Sequence, residues 1–113
     1  MTCGLTTLHK IDCWGQNLLG ELGDPTITEM CPASNLIVAP TTCSRTPHPI
    51  ASSVPFYKLT LGWFHACALT QEGAAYCWGF NGYGGTGAVA TAQCAGDPCN
   101  PIPTPVVTDL RFT

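Results

Sequence analysis

The chain repeats itself at an offset of 64 residues. Residues 3–23 (CGLTTLHKIDCWGQNLLGELG) lie over residues 67–87 (CALTQEGAAYCWGFNGYGGTG) without a gap. Both copies place Cys, Leu, Thr, then Cys-Trp-Gly, then Asn and two glycines at the same steps. A unit of this kind cannot bury its apolar face alone; copies stack to make one continuous core, and function sits on the surface and loops of the stack.

Composition narrows the class. Only 10% of the 113 residues are charged, against roughly 25% in ordinary soluble domains. The net charge of −3 comes from scattered groups, so no cationic stripe is present to meet a phosphate backbone, and nucleic acid is not an expected partner. Gly, Pro or Thr breaks every apolar run well short of the roughly 20 residues of a membrane helix, and membrane insertion is not expected. The start of the chain shows no basic and apolar leader pattern, so no signal peptide is read from it.

Eight cysteines fall as four sequential pairs: Cys3 with Cys13, Cys31 with Cys43, Cys67 with Cys77, and Cys94 with Cys99. The segment 67–77 reads as a β-hairpin turning at Gln71-Glu72-Gly73, a three-residue loop ending on a left-handed glycine. That register sets Cys67 opposite Cys77, at a Cα separation of roughly 4.5–5.5 Å, within reach of a disulfide. The first copy has Thr7-Leu8-His9 at the turn, where His is merely tolerated. The competing reading is zinc, which asks for close cysteine pairs, and only Cys94 and Cys99 have such spacing. An even, paired set in a short chain favours four disulfides, no metal, and an extracellular or periplasmic setting.

All ten prolines lie outside residues 3–23 and 56–87. Because proline removes a ladder donor, those stretches are expected to be sheet and the segments after them loops. No helix is signalled: Gly62 interrupts the one apolar stripe, and residues 56–61 (FYKLTL) have strand composition. Short strands at regular spacing with glycine turns point to propeller blades.

The residues Gly62-Trp-Phe-His65, then Cys67, an acidic-Gly turn, and Cys77-Trp78-Gly79-Phe-Asn81-Gly-Tyr83-Gly84 through Gly87 resemble the repeat of the regulator of chromosome condensation family, Gly-x-x-His followed by Trp-Gly-x-Asn-x-x-Gly-Gln-Leu-Gly. Trp14, Gly15, Asn17, Gly20 and Gly23 match its second part again. The cysteine-bearing form is similar to the extracellular variety of that family. The resemblance implies a seven-bladed propeller of four-stranded blades. The expected fold is therefore all-β: a partial β-propeller of about two blades of short antiparallel strands, with disulfide-stapled loop insertions. Residues 1–113 are read as one repeat region. Residues 1–24 form a first, N-terminally truncated repeat, 25–55 a Pro/Cys insertion, 56–107 a second repeat with an insertion at 88–105, and 108–113 the start of a third. Glu21 and Gly85 stand where the family has Gln, and Thr86 where it has Leu. The chain is read as a fragment of a longer protein, or as a small protein that covers its open blade edges by self-association.

Sharper motifs fail. Gly82 to Gly87 satisfies G-x-G-x-x-G, but no helix is expected to start there to meet a pyrophosphate, and no cofactor is expected. His65 lies in an apolar strand without a titratable partner in sequence, so a buried hydrogen-bonding role is expected; His9 belongs to a turn and His48 to a proline-rich loop. Trp14 and Trp78 are expected in the core, while Trp63 has no duplicate. The chain is expected to be no enzyme but an extracellular protein-recognition scaffold that binds another protein through its insertions. An inhibitor of a secreted enzyme and a guanine nucleotide exchange factor-like propeller are the alternatives.

Overall fold

The structure, a computed structural model, describes residues 1–33 and 39–113; the remainder of the expected 25–55 insertion lies outside the described residues. The strands are β1 (Thr2–Leu5), β2 (Ile11–Gln16), β3 (Met30–Cys31), β4 (Thr41–Pro49), β5 (Lys58–Leu61), β6 (His65–Leu69), β7 (Ala75–Phe80), β8 (Ala92–Cys94) and β9 (Asp97–Pro105). They form two antiparallel sheets, ordered β1-β2-β4-β3 and β5-β6-β7-β9-β8. The sequence repeat maps one onto the other. Hairpin β1–β2 corresponds to β6–β7, with Cys3 opposite Cys13 and Cys67 opposite Cys77. The all-β, partly built propeller is thus what the chain forms.

Each hairpin turns as its sequence dictates. Thr70 and Ala74 close the second turn, and Gly73 takes φ +85°. His9 takes the same left-handed place at φ +62°, where its ring stacks on Tyr57 at 3.8 Å and its Nδ1 lies 3.2 Å from the Phe56 carbonyl oxygen. Those contacts offset the strain of a non-glycine residue there.

The proline-rich stretches depart from expectation. They contain the two longest strands, β4 and β9, each of nine residues. The physical reason lies in the ladder. The register between β2 and β4 breaks opposite Trp14, and that between β7 and β9 breaks at the equivalent place opposite Trp78. One residue on the inner strand then faces three on the outer: Arg45, Thr46 and Pro47 in the first sheet, Pro101, Ile102 and Pro103 in the second. Prolines in these bulges owe the ladder no donor. Pro98 contributes only its carbonyl, which accepts from the Asn81 amide at 2.9 Å.

The two sheets stack face to back. Alternation along a strand sends successive side chains to opposite faces. The first sheet turns Ile11 and Cys13 inward, with Cys3 and Leu5 packed beside them; the second turns Ala66, Ala68, Tyr76 and Trp78 to the same core. The Cys3–Cys13 face of one sheet therefore meets the Trp78 face of the next, while Cys67 and Cys77 point away. Leu22, Ile27, Ile50 and Phe56 from the connectors fill the rest, and Phe56 meets Tyr76 edge-on at 5.5 Å. Trp78 is 0% exposed, whereas Trp14 is only partly buried. The expectation that both are core residues holds for Trp78 alone, because the described residues place no sheet over the Trp14 face.

The Asn-x-x-Gly-x-x-Gly stretch forms the socket for Trp78. The Gly20 amide donates to the Asn17 carbonyl and the Gly23 amide to that of Gly20, with both glycines at positive φ. Asn17 Oδ1 accepts from the Leu22 amide at 3.0 Å. The indole Nε1 of Trp78 donates to the Glu21 carbonyl at 3.1 Å. A Cβ on Gly23 would stand 3.0 Å from that nitrogen, so glycine is needed here for approach as well as for backbone conformation.

Glu21 itself is 1% exposed, and its Oε1 accepts from the Leu19 amide at 2.7 Å. Burial pushes its carboxyl up, and the amides of Leu19 and of Glu21 only partly counter this. A carboxyl raised in the folded state costs nothing while it is protonated, and stability falls as pH rises through its folded value. Glu21→Gln is expected to raise stability at neutral pH by about 1 kcal/mol and to remove part of its decline between acid and neutral pH; urea titrations of both proteins across that range measure it. Trp78→Ala is expected to cost about 3–5 kcal/mol and Trp14→Ala much less, a contrast that thermal and urea melts resolve.

Candidate protein-interaction face

At the end of the second sheet where β6 begins and β7 ends, four aromatic side chains gather. Trp63 and Phe64 meet edge-on at 6.2 Å, and Phe80 and Tyr83 at 5.6 Å. The Phe80 amide donates to the Phe64 carbonyl at 2.8 Å, joining the two pairs through the backbone. Trp63 is 88% exposed and Tyr83 95%. The ring of Phe80 lies over Gly82, where a side chain would collide with it. Cys99 stands opposite Phe80 in the ladder and is bonded to Cys94, so the β8–β9 hairpin stiffens the base of the patch. The first sheet has Gln16 in place of Phe80 and a buried Leu19 in place of Tyr83. Large aromatics left in water at one place mark a contact surface, and Trp and Tyr are the residues on which binding energy concentrates.

Sequence reasoning left Trp63 unassigned and put recognition on the insertions. The usable signal was its lack of a duplicate, together with Tyr83 replacing an aliphatic residue. Neither says which face an edge residue takes until the sheets are stacked.

The expected site residues divide among structural roles. Cys3–Cys13, Cys31–Cys43, Cys67–Cys77 and Cys94–Cys99 are bonded, the two hairpin pairs with Cα atoms 4.1 Å apart. Glu29 lies beside Cys31 and Cys43, but those sulfurs are bonded to each other and Glu29 pairs with Arg45, whose guanidinium holds its carboxyl below the usual range. Gly15 and Gly79 follow the bulged tryptophans at φ +104° and +103°. Asn81, Gly84 and Gly87 repeat the turns of Asn17, Gly20 and Gly23. Gly62 and His65 belong together, because a Cβ on Gly62 would lie 2.5 Å from the imidazole Cε1; the Gly-x-x-His spacing lets the ring rest on bare backbone.

His48 Nε2 lies 2.7 Å from Asp24 Oδ2, and Asp24 also accepts from the amide and hydroxyl of Thr26. Burial raises the Asp24 carboxyl, but the bonds from His48 and Thr26 outweigh it and hold the group below its ordinary value. Among the described residues no hydroxyl or thiol hydrogen-bonds to His48, so the pair has a carboxylate and an imidazole but no nucleophile. A groove of about 520 Å³ beside Ile11, Ile50 and Phe56 carries Lys10 and Asp12 as its charged residues and holds no histidine or cysteine.

Residues 56–84 match the family described as Regulator of chromosome condensation (RCC1) repeat. The human protein called Probable E3 ubiquitin-protein ligase HERC4 is 29% identical over 83 residues, which cover 74% of this chain and 7% of that protein. The structure of Prp20p from Saccharomyces cerevisiae, described with its binding to Gsp1p and histones, superposes with a TM-score of 0.71 at 20% identity over 95% of this chain and 23% of that one. Yeast RCC1 (Prp20) bound by Kap60 gives 0.73 at 18% identity, over 95% of this chain and 22% of that one. These likenesses show the fold, and the chain spans less than a quarter of each of these relatives. They also correct the setting read from the cysteines. The solved structures are of a protein described with its binding to Gsp1p and histones, so the extracellular or periplasmic location, the extracellular variety of the family, and the secreted scaffold and inhibitor readings are withdrawn. The physical reason is local. Hairpin register alone sets Cys3 against Cys13 and Cys67 against Cys77, so pairing reports strand geometry before it reports a compartment.

Proposed function

We propose that the chain is a segment of a nuclear β-propeller that binds another protein, a Ran-type small GTPase of the Gsp1p kind, as an exchange factor-like propeller does, with no bond-making chemistry of its own. The aromatic patch of Trp63, Phe64, Phe80 and Tyr83 carries this reading. It is aromatic and solvent-exposed at Trp63 and Tyr83, and it stands on a sheet end stiffened by a disulfide. A preorganised aromatic surface loses little entropy on binding. The likeness to Prp20p supplies the class of partner.

The test is calorimetry of the chain with Gsp1p in nucleotide-free and GDP-loaded forms, repeated with Trp63→Ala and Tyr83→Ala. Binding is expected, and loss of a hot-spot aromatic should weaken it by about 2 kcal/mol, roughly 30-fold. Absence of binding, binding indifferent to both substitutions, or binding of histones alone would overturn the GTPase assignment.

A further inference from the structure

The β3–β4 pairing gathers more chemistry than a disulfide needs. Met30 faces Thr42 and Cys31 faces Thr41. Glu29 continues that register, its carbonyl accepting from the Cys43 amide at 2.9 Å, so it stands opposite Cys43 while Cys31 reaches Cys43 on the diagonal. Opposite and diagonal neighbours in an antiparallel pair share one face, and a carboxylate oxygen of Glu29 and the two sulfurs lie within 4.8 Å of one another. Arg45, two residues beyond Cys43, fixes the carboxylate: its amide donates to Oε1 at 3.3 Å and its guanidinium to Oε2.

The second sheet supplies the comparison. Cys94 and Cys99 are bonded across β8 and β9 on the same diagonal, with Cys94 facing Asp97 as Cys31 faces Thr41. Ala92 stands opposite Cys99 where Glu29 stands opposite Cys43, and Pro101 follows where Arg45 does. A disulfide on this diagonal therefore asks nothing of the position that Glu29 holds. The carboxylate and its arginine are additions confined to the first sheet.

We propose that Cys31, Cys43 and Glu29 become a zinc site when their disulfide is reduced, so that β3 and β4 stay cross-linked in either redox state. A small dithiol opens the S–S bond: it gives two electrons and two protons to the Cys31 and Cys43 sulfurs and leaves as its own disulfide. Zinc then replaces the two thiol protons, which pass to water, and takes both sulfurs and one Glu29 oxygen as ligands, with water in the fourth position. Two thiolates and a carboxylate around Zn²⁺ leave a single net negative charge, which the Arg45 guanidinium offsets. Two sulfurs with one oxygen suit zinc better than copper(I), which favours thiolates, or magnesium and calcium, which favour oxygen. The metal's binding free energy then stands in for the lost cross-link. All three ligands come from one strand pair within the chain. The nuclear setting proposed above, where disulfides are rare, supplies the reductant, but the site belongs to these side chains and its test makes no use of the GTPase.

The experiment titrates cobalt(II), a coloured stand-in for zinc, into the 113-residue chain after full reduction with a phosphine under argon, and then displaces it with zinc. One cobalt per chain is expected, with thiolate charge-transfer absorption in the near ultraviolet, and zinc is expected to raise the melting temperature of the reduced chain. Cys31→Ser should abolish binding and Glu29→Gln should weaken it about tenfold or more, while Cys94→Ser leaves it unchanged. Circular dichroism of the oxidised Glu29→Gln chain, which keeps every cysteine, is expected to match wild type and so separates loss of a ligand from loss of the fold. With zinc bound, Cys31 and Cys43 should resist alkylation and Cys94 and Cys99 should not. No cobalt bound by the reduced chain, folded or unfolded, binding indifferent to Glu29→Gln, or protection spread evenly over all the cysteines would overturn the proposal.

Discussion

The structure depends on one side chain entering one loop. Trp78 is the largest fully buried residue, and its ring N–H ends on a carbonyl from the other sheet, 57 residues earlier in the chain. A buried indole needs a partner for its N–H, and a donor left without one costs about 1–3 kcal/mol. The Asn-x-x-Gly-x-x-Gly turns supply it by presenting the Glu21 carbonyl inward while leaving room at Gly23. The joint thus couples two stretches of the repeat motif that belong to different copies: Cys-Trp-Gly from the second and the glycine turns from the first.

The bulge opposite each tryptophan is the second constraint. Because three residues of the outer strand face one of the inner, the outer strand leaves the ladder locally, and the tryptophan is held at the kink. This explains why proline is tolerated in a strand paired on both sides, and why the glycine after each tryptophan takes a positive φ. Sequence, bulge and joint are therefore one device, present in both copies and joining one to the other.

Much of this was legible in the chain itself. The 64-residue register, the hairpin facing of Cys67 and Cys77, and the all-β propeller follow from spacing and turn chemistry, which are local. The strands β4 and β9 did not, because proline's exclusion from sheets is an average rule, and whether a given proline owes a ladder donor depends on a register that only pairing reveals. Trp14 was read as core because its motif is identical to that of Trp78; burial differs because it belongs to the neighbour, not to the motif. The exposed Trp63 and Tyr83 were illegible for the same reason. The compartment was misread because cysteine pairing within a hairpin is fixed by strand facing.

All four disulfides join residues no more than 12 positions apart, and none links one sheet to the other. Each loop is short, so each cross-link restricts the unfolded chain modestly, but each also joins cysteines that the local strand pairing alone brings together. Chains emerge from the ribosome amino end first. The first hairpin can therefore pair before the second exists, and the later copy folds against a formed template instead of searching for one. Assembly becomes directional in time as well as in space, with each completed unit presenting the surface on which its successor is cast.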